Sequence, residues 1–318
     1  MPSRVRTVMD EIYVILGFIL LILGAEGFVQ GAVALASKFR VPPLLVGFTI
    51  VALGTSLPEL AVVLEALDTD GGDDIAIGGI IGSNISNVML VLGSAALLGA
   101  SEYPGRGIRR DAVAVLIATL ILVGATLFGS ISQLLGVFMI FLLIAFYAYS
   151  YNHAKNHNVP PENENSMISN NLYFAIIVLF GGGVMVWLGA DLLMTGVIGV
   201  MDKYGISQSV IGLTIVALGT SLPEFAVTVI SALRGHGGVA LGNVLGSNVM
   251  NILGILGIAS VIGGGVVISS NFAQRDIWLL LLSSGLVCGM LLDNREIGRG
   301  VGLSMVLGYL TYMALLFS

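Results

Sequence analysis

Two glutamates lie inside apolar segments of this sequence, and each ends the same six-residue motif. Gly-Thr-Ser-Leu-Pro-Glu occupies residues 54–59 and again residues 219–224, which places the carboxylates at Glu59 and Glu224. A charged side chain in hydrocarbon is costly, so an ionisable residue there indicates a functional site. A buried, protonated glutamate that only bonds a neighbouring helix is the alternative, but it does not explain the same residue in the same context twice.

The proline before each glutamate predicts an opening in a helix. Pro58 has no N–H and its ring displaces the carbonyl of Gly54, so the backbone is expected to open over residues 52–56. Pro223 predicts the same over residues 217–221. Irregular backbone at membrane depth is tolerated where it lines a cavity or is buried in protein. A simple kink is the alternative, but the motifs also supply hydroxyls, from Thr55, Ser56, Thr220 and Ser221.

A second polar motif is also repeated. Gly-Ser-Asn-x-x-Asn covers residues 82–87 and 246–251. Its serine and last asparagine are four residues apart and so share a helix face; these pairs are Ser83 with Asn87, and Ser247 with Asn251. The asparagines between them, Asn84 and Asn248, lie on another face and are expected to tie helices together.

These ligands favour a hard cation. The single cysteine, Cys288, lies in an apolar run, and the three histidines lie in polar connecting segments. Oxygen ligands suit Ca²⁺, Mg²⁺, Na⁺ or K⁺, and Ca²⁺ tolerates an irregular cage better than Mg²⁺ does. Two carboxylates balance one Ca²⁺, and Na⁺ can use the same carbonyls and hydroxyls. A site that alternates between one Ca²⁺ and several Na⁺ predicts antiport.

The composition predicts that a bilayer surrounds these segments. Of the 318 residues, 56% are apolar and only 10% are charged, against roughly a quarter in soluble domains. Mean hydropathy is +1.00 and the net charge is −6. A polytopic membrane protein is therefore predicted, and a nucleic-acid partner is not expected. The first apolar run is long enough to span the membrane and predicts a retained helix rather than a cleaved signal.

Polar breaks divide the chain into ten apolar segments, each about as long as a spanning helix requires. They cover residues 12–36, 44–67, 75–99, 111–129, 132–151, 171–200, 207–233, 239–263, 275–292 and 298–317.

The chain also repeats internally. Residues 46–59 and 211–224 are identical at twelve of fourteen positions, and Gly-Ala-Glu26 corresponds to Gly-Ala-Asp191. Because five helices are an odd number, the second repeat must enter the membrane the opposite way round, as in many secondary transporters. The predicted domains are a first five-helix repeat, a linker and an inverted second repeat, which cover residues 1–151, 152–170 and 171–318.

Basic residues in the loops predict the orientation, because cytoplasmic loops are enriched in Lys and Arg. One side of the membrane collects Lys38, Arg40, Arg106, Arg109, Arg110, Lys155, Arg234, Arg295 and Arg299. The other side collects Arg4, Arg6, Lys203 and Arg275. The linker over residues 152–170 is therefore expected in the cytoplasm and both termini outside, with the cell membrane as the expected location.

On its two pairs of repeated motifs within ten predicted helices, the sequence resembles the calcium/cation antiporter superfamily. It is most similar to the prokaryotic type of the sodium/calcium exchanger branch, over essentially the whole chain. The resemblance implies an all-α fold of ten transmembrane helices in two inverted five-helix repeats, with helices 1 and 6 sliding against the other eight. It implies a secondary transporter rather than an enzyme, which exchanges three Na⁺ for one Ca²⁺ electrogenically and needs no cofactor.

Carried over position by position, the resemblance implies a Ca²⁺ site formed by Glu59, Glu224, Thr55 and Thr220, the threonines mainly through main-chain carbonyls. It implies flanking Na⁺ sites formed by both glutamates with Ala52, Ser56, Ser83, Ala217, Ser221 and Ser247. Asn87 and Asn251 would border the centre.

Two positions depart from the family pattern. Some prokaryotic relatives carry Asp where this chain has Asn251, so a third central carboxylate is not expected here, and neither is K⁺ co-transport. The family often has Asn three residues before the Gly-Ser pair, as at Asn243, but the first motif has Gly79 there. The two motifs are therefore unequal at this point.

Three other functions stay open from the residues alone. In an H⁺/Ca²⁺ antiporter, protonation of Glu59 and Glu224 would replace Na⁺ as the counter-move, although the hydroxyls before each glutamate favour Na⁺. A passive cation channel would conduct without a counter-ion. An intramembrane protease is disfavoured, because no Ser–His pair lies within the spans.

Overall fold

The computed structural model describes residues 3–67, 69, 71–99, 107–156, 171–203 and 219–316. Its α-helices are α1 (Ser3–Phe39), α2 (Pro43–Val46), α3 (Ala52–Thr55), α4 (Leu57–Ala66), α5 (Gly72–Ser86), α6 (Leu92–Leu97), α7 (Ile108–Phe128), α8 (Gln133–Asn156), α9 (Leu172–Lys203), α10 (Leu222–Leu233), α11 (Gly237–Val249), α12 (Gly257–Ile262), α13 (Asp276–Leu292) and α14 (Arg299–Leu316). Three π-helical turns continue some of these helices, namely π1 (Gly47–Val51), π2 (Asn87–Val91) and π3 (Met250–Leu256). One short antiparallel pair joins β1 (Ser130–Ile131) to β2 (Val266–Val267).

Seven helices of the described chain are long and apolar enough to cross a membrane, and a bent pair makes up to eight. The bent pair is Pro43–Thr55 with Leu57–Ala66, which meet at 41°. Two shorter apolar helices, α10 and α13, are also present. The chain is thus an all-α, multi-pass membrane protein. The count of ten spans and the inverted repeat stay predictions, because much of the predicted span 207–233 lies outside the described residues.

The observed helices extend several predicted spans. Helix α1 begins at Ser3, nine residues before the predicted start, since the polar residues ahead of Ile12 continue the helix. Helix α8 continues to Asn156 and so includes the first residues of the predicted linker. The rest of that linker lies outside the described residues.

Helices α1 and α9 pack against each other with their backbones in contact. A Cβ added at Gly24 would lie 2.6 Å from the backbone nitrogen of Val186, and one at Gly182 would lie 2.8 Å from the carbonyl oxygen of Gly24. Small residues that let helix backbones approach are typical of membrane-helix interfaces. An ion pair between Glu26 and Arg234 (2.7 Å) connects α1 to the end of α10.

The centre of the molecule is built around α11 and α5. The span that contains α11 is the most buried of the candidate spans. Helix α11 approaches π1 closely, since a Cβ at Gly242 would lie 2.8 Å from the backbone nitrogen of Phe48. These contacts bring the first repeated motif of the sequence against the second.

Candidate functional site

Both repeated motifs contain a helix break, as the prolines predict. Ser56 (φ −88°, ψ 5°) separates α3 from α4, and Ser221 (φ −86°, ψ 1°) precedes α10. The opening at the first motif is narrower than the predicted stretch of residues 52–56, because residues 52–55 still form a helical turn. The carbonyl oxygen of Ala52 is therefore not freed: it accepts a hydrogen bond from the backbone N–H of Ser56 (3.0 Å).

Each glutamate lies in the first turn of the helix that follows its break. Ser-Leu-Pro-Glu has the spacing of a capping box, in which the serine side chain would bond its own helix. Neither Ser56 nor Ser221 caps its helix through its side chain. Both hydroxyls donate instead to residues of the other repeated motifs, so these serines contribute to the site rather than to their own helices.

The first break contacts the second glutamate. Ser56 Oγ donates a hydrogen bond to Glu224 Oε1 (3.2 Å), and Glu224 is fully buried. Glu59, 3% exposed, accepts a hydrogen bond at Oε1 from Ser83 Oγ (3.4 Å). Each carboxylate is therefore hydrogen-bonded to a serine of a different repeated motif.

Ser83 connects the remaining polar groups of the centre. Its hydroxyl oxygen accepts hydrogen bonds from Asn251 Nδ2 (3.2 Å) and from Ser221 Oγ (3.4 Å). Asn251 Nδ2 also donates to Asn84 Oδ1 (3.0 Å), and Asn84 Nδ2 donates to the carbonyl oxygen of Asn248 (3.2 Å). Asn84 thus ties helices together, as predicted, whereas the side chain of Asn248 has no hydrogen-bond partner among the described residues and contributes only its main-chain oxygen.

Thr55 lies on the other side of the first break and contacts α11. Its hydroxyl donates to Asn243 Oδ1 (3.1 Å) and lies 3.4 Å from Ser247 Oγ. Asn243 Nδ2 donates in turn to Thr228 Oγ1 (3.0 Å) and to the main-chain oxygen of Glu224 (3.4 Å). Sequence reasoning did not assign roles to Asn243 and Thr228. The available signal was a polar residue inside an apolar helix, with Thr228 one turn after Glu224.

Several buried oxygens of this cluster accept no hydrogen bond from the described residues. They are Glu59 Oε2, Glu224 Oε2 and Asn251 Oδ1. Buried polar atoms are nearly always satisfied in proteins, so a group of unsatisfied acceptors needs an explanation. Neither glutamate forms an ion pair with a basic side chain of the described chain. The arrangement can therefore bind a cation through carboxylate and neutral oxygens.

Not every predicted site residue joins this cluster. Thr220 is half-buried, and no hydrogen bond of its side chain is formed within the described part of the chain. Asn87 is buried, yet neither polar atom of its side chain has a partner among the described residues. Ala52 is buried beside Thr55, and Ala217 lies outside the described residues. The described chain also has no group of three or more His, Cys, Asp or Glu side chains that could hold a metal ion.

Fold and site together define a class of protein: a multi-pass helical membrane protein with two buried carboxylates among hydroxyl and amide groups at its centre. Residues 12–152 and 174–318 match the sodium/calcium exchanger protein family. The chain therefore belongs to this family of transmembrane antiporters, which act on Ca²⁺ and a counter-cation.

Individual relatives agree with this assignment. The chain is 28% identical to the sodium/calcium exchanger MaX1 of Methanosarcina acetivorans, over 95% of this chain and 97% of that protein. It is 34% identical, over 96% and 98% of the two chains, to CaxA of Alkalimonas amylolytica, whose name describes a candidate antiporter. Among solved structures, the sodium-calcium exchanger NCX_Mj superposes with a TM-score of 0.83 at 30% identity, over 96% of this chain and 98% of that chain.

Proposed function

We propose that this protein exchanges Na⁺ for Ca²⁺ across the cell membrane by alternating access. The observation that supports it most directly is the pair of buried carboxylates, each hydrogen-bonded to a serine of a different motif, with one carboxylate oxygen of each left without a donor. Two negative charges balance one Ca²⁺, and the surrounding hydroxyls suit Na⁺. Because both ions need the same charges, emptying the site of one favours loading the other.

In this proposal, Glu59 and Glu224 bind Ca²⁺ together with the main-chain oxygens of Thr55 and Thr220. Na⁺ is bound by both glutamates and by oxygens flanking them, from Ala52, Ser56, Ser83, Ala217, Ser221 and Ser247. Asn251 borders the centre through its bond to Ser83, and Asn87 through an amide that is buried without a partner in the described chain.

We also propose the finer features that the family resemblance implies. These are ten transmembrane helices in two inverted repeats, both termini outside, and a cytoplasmic linker over residues 152–170. The short apolar helices α10 and α13 supply the spans beyond the eight longer ones. Three Na⁺ are exchanged for one Ca²⁺, so each cycle moves one net positive charge.

The test is Ca²⁺ uptake into proteoliposomes that contain the purified protein. An outward Na⁺ gradient at constant pH drives uptake if Na⁺ is the counter-ion, whereas an outward K⁺ gradient does not. Uptake that collapses with the Na⁺ gradient and is accelerated by an inside-positive potential supports electrogenic exchange, since the leaving Na⁺ carries more positive charge than the entering Ca²⁺. Uptake without any counter-ion gradient would point to a channel.

An H⁺/Ca²⁺ antiporter is the second candidate. The favouring observation is that neither buried glutamate forms an ion pair with a basic side chain of the described chain, so a proton could balance its charge. Uptake driven by an outward H⁺ gradient without Na⁺, and insensitive to a Na⁺ gradient, would establish this alternative and refute Na⁺ coupling.

A further inference from the structure

The two repeats of the sequence differ in chemistry at one position, which in the second repeat is buried in α11. Asn243 is fully buried and bonds three groups from two other helices: Thr55, Thr228 and the main chain of Glu224. In the first repeat of the sequence, the positions equivalent to Asn243 and Thr228 are Gly79 and Val63, neither of which has a polar side chain. The first repeat therefore has no amide at this position that could accept a hydrogen bond from Thr220 as Asn243 does from Thr55.

The support decides where the hydroxyl hydrogen of Thr55 is directed. Thr55 Oγ1 lies 3.3 Å from the carbonyl oxygen of Ala52 and 3.1 Å from Asn243 Oδ1. A hydroxyl has one hydrogen, so it can be donated fully to only one of these acceptors. The amide of Asn243 is held in place by its own bond to Thr228 and offers the shorter contact.

The consequence falls on Ala52. Its carbonyl oxygen already accepts the backbone N–H of Ser56 at 3.0 Å. A carbonyl oxygen has two lone pairs. If the Thr55 hydroxyl is drawn to Asn243, the second lone pair of Ala52 stays available; without Asn243, the hydroxyl turns back onto its own helix, as threonines commonly do.

We infer that Asn243 is a positioning residue that keeps the carbonyl oxygen of Ala52 available as a Na⁺ ligand by holding the hydroxyl of Thr55. This inference rests on the proposed function, in which Ala52 binds Na⁺. It predicts that the two repeats differ in Na⁺ affinity, because Gly79, the sequence equivalent of Asn243 in the first repeat, has no amide side chain. The support acts through hydrogen bonds and not through contact with the ion.

The test measures Na⁺-driven Ca²⁺ uptake for Asn243→Ala in proteoliposomes. The half-saturating Na⁺ concentration should rise about three- to tenfold, the factor that one ordinary hydrogen bond contributes. The maximal rate at saturating Na⁺ should stay within about twofold of the parent. Thr228→Val should shift Na⁺ in the same direction by a smaller factor, because it loosens the amide without removing it. The matched control is Ser231→Ala, which removes a buried hydroxyl of α10 that has no partner among the described residues.

A double-substitution cycle separates positioning from general support of the fold. In Thr55→Val no hydroxyl competes for Ala52, so adding Asn243→Ala should leave the Na⁺ dependence unchanged. The same rise in both backgrounds, no rise in either, or an equal loss for Na⁺ and Ca²⁺ with a lower maximal rate would overturn the inference. If Asn243→Ala does not fold, the cycle is run with Thr228→Val. Failure of the parent protein to exchange Na⁺ for Ca²⁺ would instead refute the proposed function.

Discussion

The hydroxyl of Ser56 donates to the carboxylate of Glu224 at 3.2 Å, although the two residues are 168 positions apart in the sequence. Each belongs to one copy of the same six-residue motif. The copies therefore build one site rather than two. A cation bound between the carboxylates would contact both copies at once.

Neutralising either carboxylate should abolish Ca²⁺ transport. Glu59→Gln and Glu224→Gln keep the size of the side chain but leave one negative charge against a divalent ion. We expect uptake at background level, with an unchanged elution profile and helical content. Glu65→Gln is the control, because Glu65 lies exposed on the same helix, α4. Uptake by either glutamine variant at the parent rate would remove the basis of the site.

The serine at the break should contribute both to ion affinity and to stability. Ser56→Ala removes the donor to Glu224, and a hydrogen bond to a charged group contributes about 1.5–3 kcal/mol. We expect at least a roughly tenfold rise in the half-saturating ion concentration. The melting temperature of the ion-free protein should also fall, because this bond forms without a bound ion and its loss leaves the buried Glu224 carboxylate without the donor. Ser56→Thr keeps the hydroxyl and should recover most of the affinity; equal losses in both variants would contradict this role.

A third carboxylate at the centre should make transport depend on pH. Asn251 donates through Nδ2 to Ser83 and to Asn84 Oδ1. In Asn251→Asp, only the protonated acid can still donate to Asn84, whereas the ionised form adds a negative charge beside the glutamates. We expect parent-like Na⁺/Ca²⁺ competition at low pH and altered competition at high pH. Competition curves that match the parent at every pH would show that this position does not border the ions.

The part of the site that follows from local chemistry could be predicted from sequence. Pro58 and Pro223 lack a backbone N–H whatever the fold, so the breaks at Ser56 and Ser221 are predictable. A glutamate within an apolar segment is likewise recognisable from the sequence as a candidate site residue. The partners of Ser83 could not be predicted, because they depend on how α5 packs against α10 and π3. The hydrogen bond from the backbone N–H of Ser56 to the carbonyl oxygen of Ala52 could not be predicted either, since the predicted opening of the helix is longer than the observed one.

Some parts of the fold could likewise be predicted from the sequence and others could not. The spans around α7 and α13 are predicted within a few residues, because charged or glycine-rich breaks flank them. The π-helical turns that begin at Asn87 and Met250 were not predictable, since the polar residues in them, Asn87 and Asn251, keep ordinary α-helical spacing from Ser83 and Ser247. Such turns are frequent at functional sites, and here they continue the two helices that carry Ser83 and Ser247.

Enlarging the glycines between α1 and α9 should separate the two helices. Gly24→Val places methyl groups against the backbone of Val186, and overpacking of this kind costs about 1–3 kcal/mol per site. We expect a lower melting temperature for Gly24→Val and for Gly182→Val. Gly181→Ala is the matched control, because a Cβ there meets no atom of the described chain within 4 Å. A control variant as unstable as Gly182→Val would show that the close approach of α1 and α9 is not the cause.

A buried ion pair away from the site should stabilise the fold without affecting ion affinity. Arg110 Nε donates to Asp111 Oδ1 at 2.7 Å, and the same guanidinium donates to the carbonyl oxygen of Ser150 at 3.2 Å, which joins α7 to α8. Asp111 is fully buried. Removing one partner of a buried pair costs about 3–5 kcal/mol, because the other charge is left uncompensated.

Asp111→Ala should therefore lower the melting temperature in detergent by several degrees, and Asp111→Asn, which keeps an acceptor for Arg110, should lower it less. The half-saturating Na⁺ and Ca²⁺ concentrations of the folded fraction should equal those of the parent. A shift in either concentration at unchanged stability would place Arg110 and Asp111 in the transport cycle instead.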